Sequence, residues 1–91
     1  MQMDYLFLKS GAEGDAMATI LIGIEKPSGF CMSVLARSKG PGDAHAVRAV
    51  LEWLAEAGLM GDIRVRTDGE PAIVALMQAI AAKRKARTTL E

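Results

Sequence analysis

Residues 63–73 read IRVRTDGEPAI, and this stretch decides the fold. Ile63 to Thr67 are predicted to form a β-strand, which Asp68 ends. The next residues, Gly69 and Glu70, lead into a helix that begins at Pro71, because proline is well tolerated at the first helical position. A strand that passes through a short turn into a helix indicates an α/β fold.

Composition limits the chain to a single small globular domain. It has 91 residues, of which 51% are apolar and 24% are charged. Lys plus Arg and Asp plus Glu both number 11, so the formal net charge is zero and no overall field attracts nucleic acid. Only 4% of the residues are aromatic, which argues against a platform for stacking single-stranded bases.

The other elements are predicted from apolar patterns and turn residues. In chain order they are strands at 3–8, 18–25 and 30–36, a helix from the N-cap Asp43 to Gly58, the helix that begins at Pro71, and a short fifth strand at 86–90. A polar connection at 9–15 follows the first strand, and a turn at 26–29 makes the next two strands an antiparallel hairpin. The predicted order is βββαβαβ, in a mixed sheet whose last strands are parallel.

Two acidic residues occupy positions where a carboxylate needs an explanation. Asp4 lies inside the first strand, and Asp68 lies at the end of the fourth. A carboxylate within a strand costs several kcal/mol in desolvation unless it is paired, hydrogen-bonded or metal-bound. We favour a metal ion that Asp4 and Asp68 share. The alternatives are that Asp68 shapes a turn with Gly69 and that Asp4 faces solvent on an edge strand.

Three segments together resemble the ribonuclease H-like catalytic core of retroviral-type integrases and DDE transposases. They are DYLFL at 4–8, SKG at 38–40 and RTDGEPAI at 66–73. The resemblance implies a ribonuclease H-like mixed sheet with the first and fourth strands side by side. It also implies that Asp4 and Asp68 are catalytic, as the first two members of a three-carboxylate set that binds Mg²⁺ or Mn²⁺. Two such cations about 3.5–4 Å apart would clamp the scissile phosphate.

The third carboxylate of that family is expected on a helix beyond the fifth strand, and Glu91 comes too early to fill the role. We therefore expect residues 1–91 to be a partial integrase-like core, truncated after the fifth strand. The complete protein would cleave DNA and transfer strands, whereas the chain as it stands would be inactive. The alternative is a non-catalytic α/β interaction or self-assembly domain derived from an integrase.

Basic residues supply weaker candidates for contacts with DNA. Lys39 follows the third strand, and Lys83, Arg84 and Lys85 form a cluster near the C-terminus. All four are candidates to bind phosphate oxygens. For Lys39, a solvated surface position is favoured over this role. The cluster also complements the dipole at the end of the second helix, and that interpretation is slightly favoured.

The remaining expectations concern partners and location. Apolar surface that absent helices would leave uncovered predicts a homo-oligomer. Cys31 is the only cysteine, so no intrachain disulfide is possible. The longest apolar run is too short to span a bilayer, and no secretion signal is recognised. We expect no membrane contact and a reducing compartment, cytoplasmic or nuclear, rather than secretion.

Overall fold

The computed structural model describes residues 1–9 and 17–91. Apart from Lys9, the predicted connection at 9–15 lies outside the described residues. The elements are β1 (Gln2–Lys9), β2 (Met17–Glu25), β3 (Phe30–Ala36), α1 (Ala44–Glu56), β4 (Ile63–Val65), α2 (Pro71–Lys83) and β5 (Thr88–Leu90). The predicted α/β class and the order βββαβαβ are confirmed, with boundaries shifted by no more than two residues.

The strands form one mixed arrangement. β1, β2 and β3 make an antiparallel meander, and β4 pairs with β5 in parallel. A parallel bridge between Gln2 and Arg66 joins the two parts, since the Met3 N–H donates to the Arg66 carbonyl at 3.0 Å and the Arg66 N–H donates to the Met1 carbonyl at 2.8 Å. The resulting spatial order is β3-β2-β1-β4-β5, which is compatible with a ribonuclease H-like sheet. β1 is therefore central and not an edge strand.

The core lies between the helices and one face of the sheet. Met3, Tyr5 and Leu21 point from that face and are buried. They pack with an apolar stripe along each helix, whose fully or almost fully buried members are Val47, Val50, Leu54, Ile73, Leu76, Met77 and Ile80. Because successive strand residues alternate between faces, the neighbours of the core residues point the other way.

This second sheet face, which we call the open face, carries apolar side chains. The strand register places Leu6, Ile20 and Leu35 in one row across β1, β2 and β3. Leu6 is 44% exposed and Leu35 is 60% exposed, and Ile24 in a parallel row is 37% exposed. In the described part of the chain, α1 and α2 pack on the opposite face.

A Schellman motif ends α1. Gly58 has a φ of 73°, its N–H donates to the Ala55 carbonyl, and the Leu59 N–H donates to the Leu54 carbonyl. The left-handed conformation favours glycine, because it has no Cβ to clash with the backbone. The predicted end of this helix at Gly58 is confirmed.

Asp43 caps the N-terminus of α1, as predicted, and also accepts hydrogen bonds from residues outside the helix. Its Oδ1 accepts from the Ala46 N–H at 3.2 Å, and its Oδ2 accepts from the N–H groups of Arg37 at 2.8 Å and Ser38 at 3.5 Å. The residue is only 5% exposed. Burial by itself would raise the pKa of Asp43, but these three donors outweigh it and hold the pKa below its ordinary value. One carboxylate thus links the end of β3 to the start of α1.

Gly23 lies where the sheet meets α1. A Cβ built on it would come within 2.6 Å of the Met3 sulfur, 3.0 Å of the Trp53 ring and 3.1 Å of the Met32 Cγ. Met3 and Trp53 are themselves buried, so neither side chain has free space to move into. The Trp53 ring in turn stacks on Phe30, with 6.1 Å between the centroids. The absence of a side chain at position 23 therefore sets the distance between the sheet and the helix.

The Gly23→Ala substitution should lower the free energy of unfolding by about 1–3 kcal/mol, the range for an overpacked core. Gly61→Ala is the control, because its added Cβ meets nothing within 4 Å. Urea denaturation followed by circular dichroism gives both values. Equal effects of the two substitutions would contradict the close packing at Gly23.

Removal of the Asp43 carboxylate should have a pH-dependent effect. We expect Asp43→Ala to cost about 1–2 kcal/mol at pH 7, as for the loss of an N-cap. Because the folded pKa is below the unfolded one, the stabilisation is complete above about pH 4 and is lost as the pH falls through the folded pKa. Urea denaturation at pH 7 and pH 3 should show the gap between wild type and variant narrowing at the lower pH. The exposed Glu52→Gln should change stability by no more than about 0.5 kcal/mol.

Candidate functional site

The contact between β1 and β4 brings the two predicted acidic residues together. Gln2 pairs with Arg66 in parallel just after the end of β4, so residue 4 lies beside residue 68, two positions further along each segment. The Asp68 N–H donates to Oδ1 of Asp4 at 3.1 Å, across 64 residues of sequence. Asp4 is half-buried and Asp68 is exposed. The predicted proximity is thus observed, while the metal-binding and catalytic roles of Asp4 and Asp68 stay predictions.

Hydrogen bonds already compensate for part of the desolvation cost that the sequence predicts for the Asp4 carboxylate. Its Oδ2 accepts from Nε2 of Gln2 at 2.6 Å, and its Oδ1 accepts the Asp68 N–H. Desolvation alone therefore does not require a cation here. Each carboxylate oxygen has two lone pairs, so one donor on each oxygen leaves a lone pair for a hard cation. The donor set and its exposure fit Mg²⁺ or Mn²⁺, which bind oxygen ligands and retain several waters.

Asp68 also shapes the turn that leads into α2, as the alternative interpretation predicted. Its Oδ1 accepts from the Glu70 N–H at 2.9 Å, and Thr67 Oγ1 accepts from the Gly69 N–H at 3.1 Å. Gly69 has a φ of 83°, which suits glycine. The turn and the proposed ligand role are compatible, because the turn occupies a single oxygen of the carboxylate.

The loop after β3 packs against the same region. The Gly40 N–H donates to the Tyr5 hydroxyl oxygen at 2.8 Å, and burial is the main cause that raises the pKa of Tyr5 above its ordinary value. Lys39 forms an ion pair with Glu70, and its Nζ lies 5.6 Å from the centre of the Tyr5 ring. The three segments that carry the integrase resemblance therefore converge around Asp4 and Asp68. The sequence did not predict the Tyr5–Gly40 contact.

No larger ligand cluster joins the pair in the described residues. Within 1–9 and 17–91, no three His, Cys, Asp or Glu side chains lie close enough together to hold a metal ion. The Glu70 carboxylate contacts Lys39 through Oε1. The structure thus assembles a pair of carboxylates from β1 and the β4–α2 turn.

Arg84, one of the predicted phosphate contacts, has a structural role that the sequence did not indicate. Its guanidinium donates to the carbonyls of Leu59 at 3.0 Å and Gly61 at 2.6 Å, and to Thr88 Oγ1 at 2.6 Å. A further contact, at 3.5 Å, reaches the Arg87 carbonyl. One side chain thereby ties the end of α2 to the α1–β4 loop and to β5, so its donors are engaged within the chain.

Lys83 and Lys85 on either side of Arg84 are exposed. Lys83 lies in the last turn of α2, where a positive charge complements the helix dipole. Contact of Lys39, Lys83, Arg84 or Lys85 with phosphate stays a prediction.

Among the described residues, no helix has both the length and the apolar character needed to cross a bilayer.

Arg84→Lys should lower the free energy of unfolding by about 1.5–3 kcal/mol, because an ammonium group cannot replace a planar fork that reaches separate acceptors. Lys85→Arg, which alters the neighbouring exposed cation, should change stability by no more than about 0.5 kcal/mol. Chemical denaturation of both variants measures the difference. A stable Arg84→Lys variant would show that the guanidinium contacts contribute little.

No family model matches the chain, and no curated protein matches it. Its fold matches a chain in the cryo-EM structure of the simian T-cell lymphotropic virus intasome in complex with PP2A regulatory subunit B56 gamma. The TM-score is 0.70 at 18% sequence identity, over 99% of this chain and 30% of that chain. At this identity the similarity shows a shared fold, and the chain spans 30% of the length of its structural neighbour.

Proposed function

We propose that this chain is part of a metal-dependent DNA integrase or transposase core, in which Asp4 and Asp68 bind Mg²⁺ or Mn²⁺. The observation that carries the proposal is the hydrogen bond from the Asp68 N–H to Oδ1 of Asp4, which brings the carboxylate on β1 against the backbone of Asp68 in the β4–α2 turn. The fold similarity to a chain of a viral intasome structure supports the same class of function.

The residues around the pair have distinct positioning roles in this proposal. Gln2 orients the Asp4 carboxylate through Oδ2, and the turn at Gly69 holds Asp68 at the start of α2. When bound, the cation would activate the attacking oxygen and stabilise the leaving oxygen of a phosphodiester. Lys39, Lys83 and Lys85 would contact DNA phosphates, Lys39 after separating from Glu70.

The complete set needs a third carboxylate, which in this proposal comes from another part of the assembled protein. The neighbouring structure is consistent with a larger whole, since this chain matches only 30% of that chain. The chain alone should therefore bind a cation through Asp4 and Asp68 but transfer no DNA strand.

Manganese binding gives the direct test. Titration with Mn²⁺ should broaden the backbone amide NMR signals of residues 4 and 68 before others, because its unpaired electrons relax nearby nuclei. Asp4→Asn and Asp68→Asn should each weaken the apparent affinity by about tenfold or more, as removal of ligand or supporting groups does in metal sites. Mg²⁺ should compete with Mn²⁺ for the same site and so reduce the broadening of these signals.

Asp62→Asn is the matched control, because Asp62 accepts a hydrogen bond from the Arg87 N–H away from the pair. It should leave the broadening near residues 4 and 68 unchanged. Broadening that persists in both the Asp4 and Asp68 variants would overturn the metal-site proposal for this chain.

The second candidate is a non-catalytic interaction or self-assembly domain derived from an integrase. The observation that favours it is the open face, where Leu6 and Leu35 are 44% and 60% exposed. Contiguous exposed apolar surface marks protein interaction sites or ligand-binding grooves. Concentration-dependent association together with no response to Mn²⁺ would select this candidate.

A further inference from the structure

The free edge of β3 is the least protected part of the sheet. Within residues 1–9 and 17–91, β3 pairs with β2 on one side and with no strand on the other. An antiparallel edge strand of this kind presents a row of backbone N–H and C=O groups that can pair with another strand. β3 is seven residues long and reads FCMSVLA, with no charged residue and no proline.

The opposite edge of the sheet differs. β5 has only three residues, and charged residues flank it, Arg87 before it and Glu91 after it. Short strands and charged neighbours are the usual protection of an edge against pairing with another chain. β5 is thus short and has charge at both ends, whereas β3 is more than twice as long and has a charged neighbour, Arg37, at one end only.

We propose that β3 is a dimerisation edge, where two copies of this chain pair their β3 strands in antiparallel fashion about a two-fold axis at Ser33. This proposal does not depend on metal binding by Asp4 and Asp68. A two-fold contact uses the same surface on both copies, so the surface must complement itself. The side chains of β3 complement one another in this way about its central residue, Ser33.

With Ser33 opposite Ser33 of the second copy, each larger side chain lies opposite a smaller one. Phe30 faces Ala36, Met32 faces Val34, and Leu35 faces Cys31. The absence of charge along β3 means that no like charges meet, and the zero net charge of the chain adds no general repulsion.

The pairing also extends the apolar row of the open face. Leu6, Ile20 and Leu35 of one copy would continue into Cys31 and Ile24 of the other, according to the observed registers of β1, β2 and β3. Leu35 is 60% exposed and Cys31 is exposed in the single chain. Cross-strand contact between them removes apolar surface from water, in addition to the backbone hydrogen bonds.

A charge-swap experiment tests both the surface and the axis. Ser33 is exposed, so substitution there should not disturb the core. Wild type and Ser33→Thr should be dimers by sedimentation equilibrium. Ser33→Lys alone and Ser33→Glu alone should be monomers, because two like charges would meet on the axis. An equimolar mixture of the Lys and Glu variants should regain the dimer.

Met60→Lys is the matched control, since Met60 is 68% exposed and lies in the α1–β4 connection, away from β3. It should leave the dimer intact. Circular dichroism should show that every variant is folded. A monomeric wild type, a Ser33→Lys variant that still dimerises, or a Lys and Glu mixture that stays monomeric would each overturn the proposal.

Cysteine cross-linking tests the register independently. Ser33→Cys in a Cys31→Ser background should form a covalent dimer under mild oxidation, because opposite residues in an antiparallel pair have Cα atoms about 4.5–5.5 Å apart. Wild-type Cys31 should not cross-link, since the two copies of Cys31 would lie about 13 Å apart along the strands. Efficient cross-linking of wild type, or none with Ser33→Cys, would rule out the Ser33 axis.

Discussion

The parallel contact between β1 and β4 is the constraint on which the rest of the structure depends. It consists of a few backbone hydrogen bonds, from Met1 to the Arg64 carbonyl, from Arg66 to the Met1 carbonyl and from Met3 to the Arg66 carbonyl. These bonds join a meander and a two-stranded sheet, of which the latter would be marginal in water by itself. They also make β1 central, bury Met3 and set the register that places Asp4 beside Asp68.

Much of the fold was predictable because local chemistry marks the ends of the elements. Asp43 caps α1, Gly58 ends it and Pro71 begins α2, and each of these positions can be recognised from a few adjacent residues. The apolar stripe of α2 was equally predictable, since the spacing of its apolar residues is a property of the helix itself. The proximity of Asp4 and Asp68 came from the family resemblance, because no local pattern says which strands are neighbours.

The features that escaped prediction all join distant parts of the chain. Arg84 reaches Leu59 and Gly61 across more than twenty residues, and nothing in the sequence separates it from the lysines beside it. The Gly40 contact with Tyr5 depends in the same way on how a loop packs. One missed interaction had a local signal. Gln2 lies two residues before Asp4, so the two share a face of the strand, and the amide was available to bind the carboxylate.

The topology also imposes an order on the folding of the chain during its synthesis. β1, β2 and β3 pair between residues close in sequence, whereas the contact of β1 with the β4 region spans 64 residues at Asp4 and Asp68. Closing that long loop costs chain entropy before its contacts can compensate, so such contacts form late. On the ribosome, the meander is complete while β4 is still to be made. Until Arg66 emerges, the nascent chain exposes the unpaired edge of β1 as well as that of β3, and we expect it to be most vulnerable to aggregation in this interval.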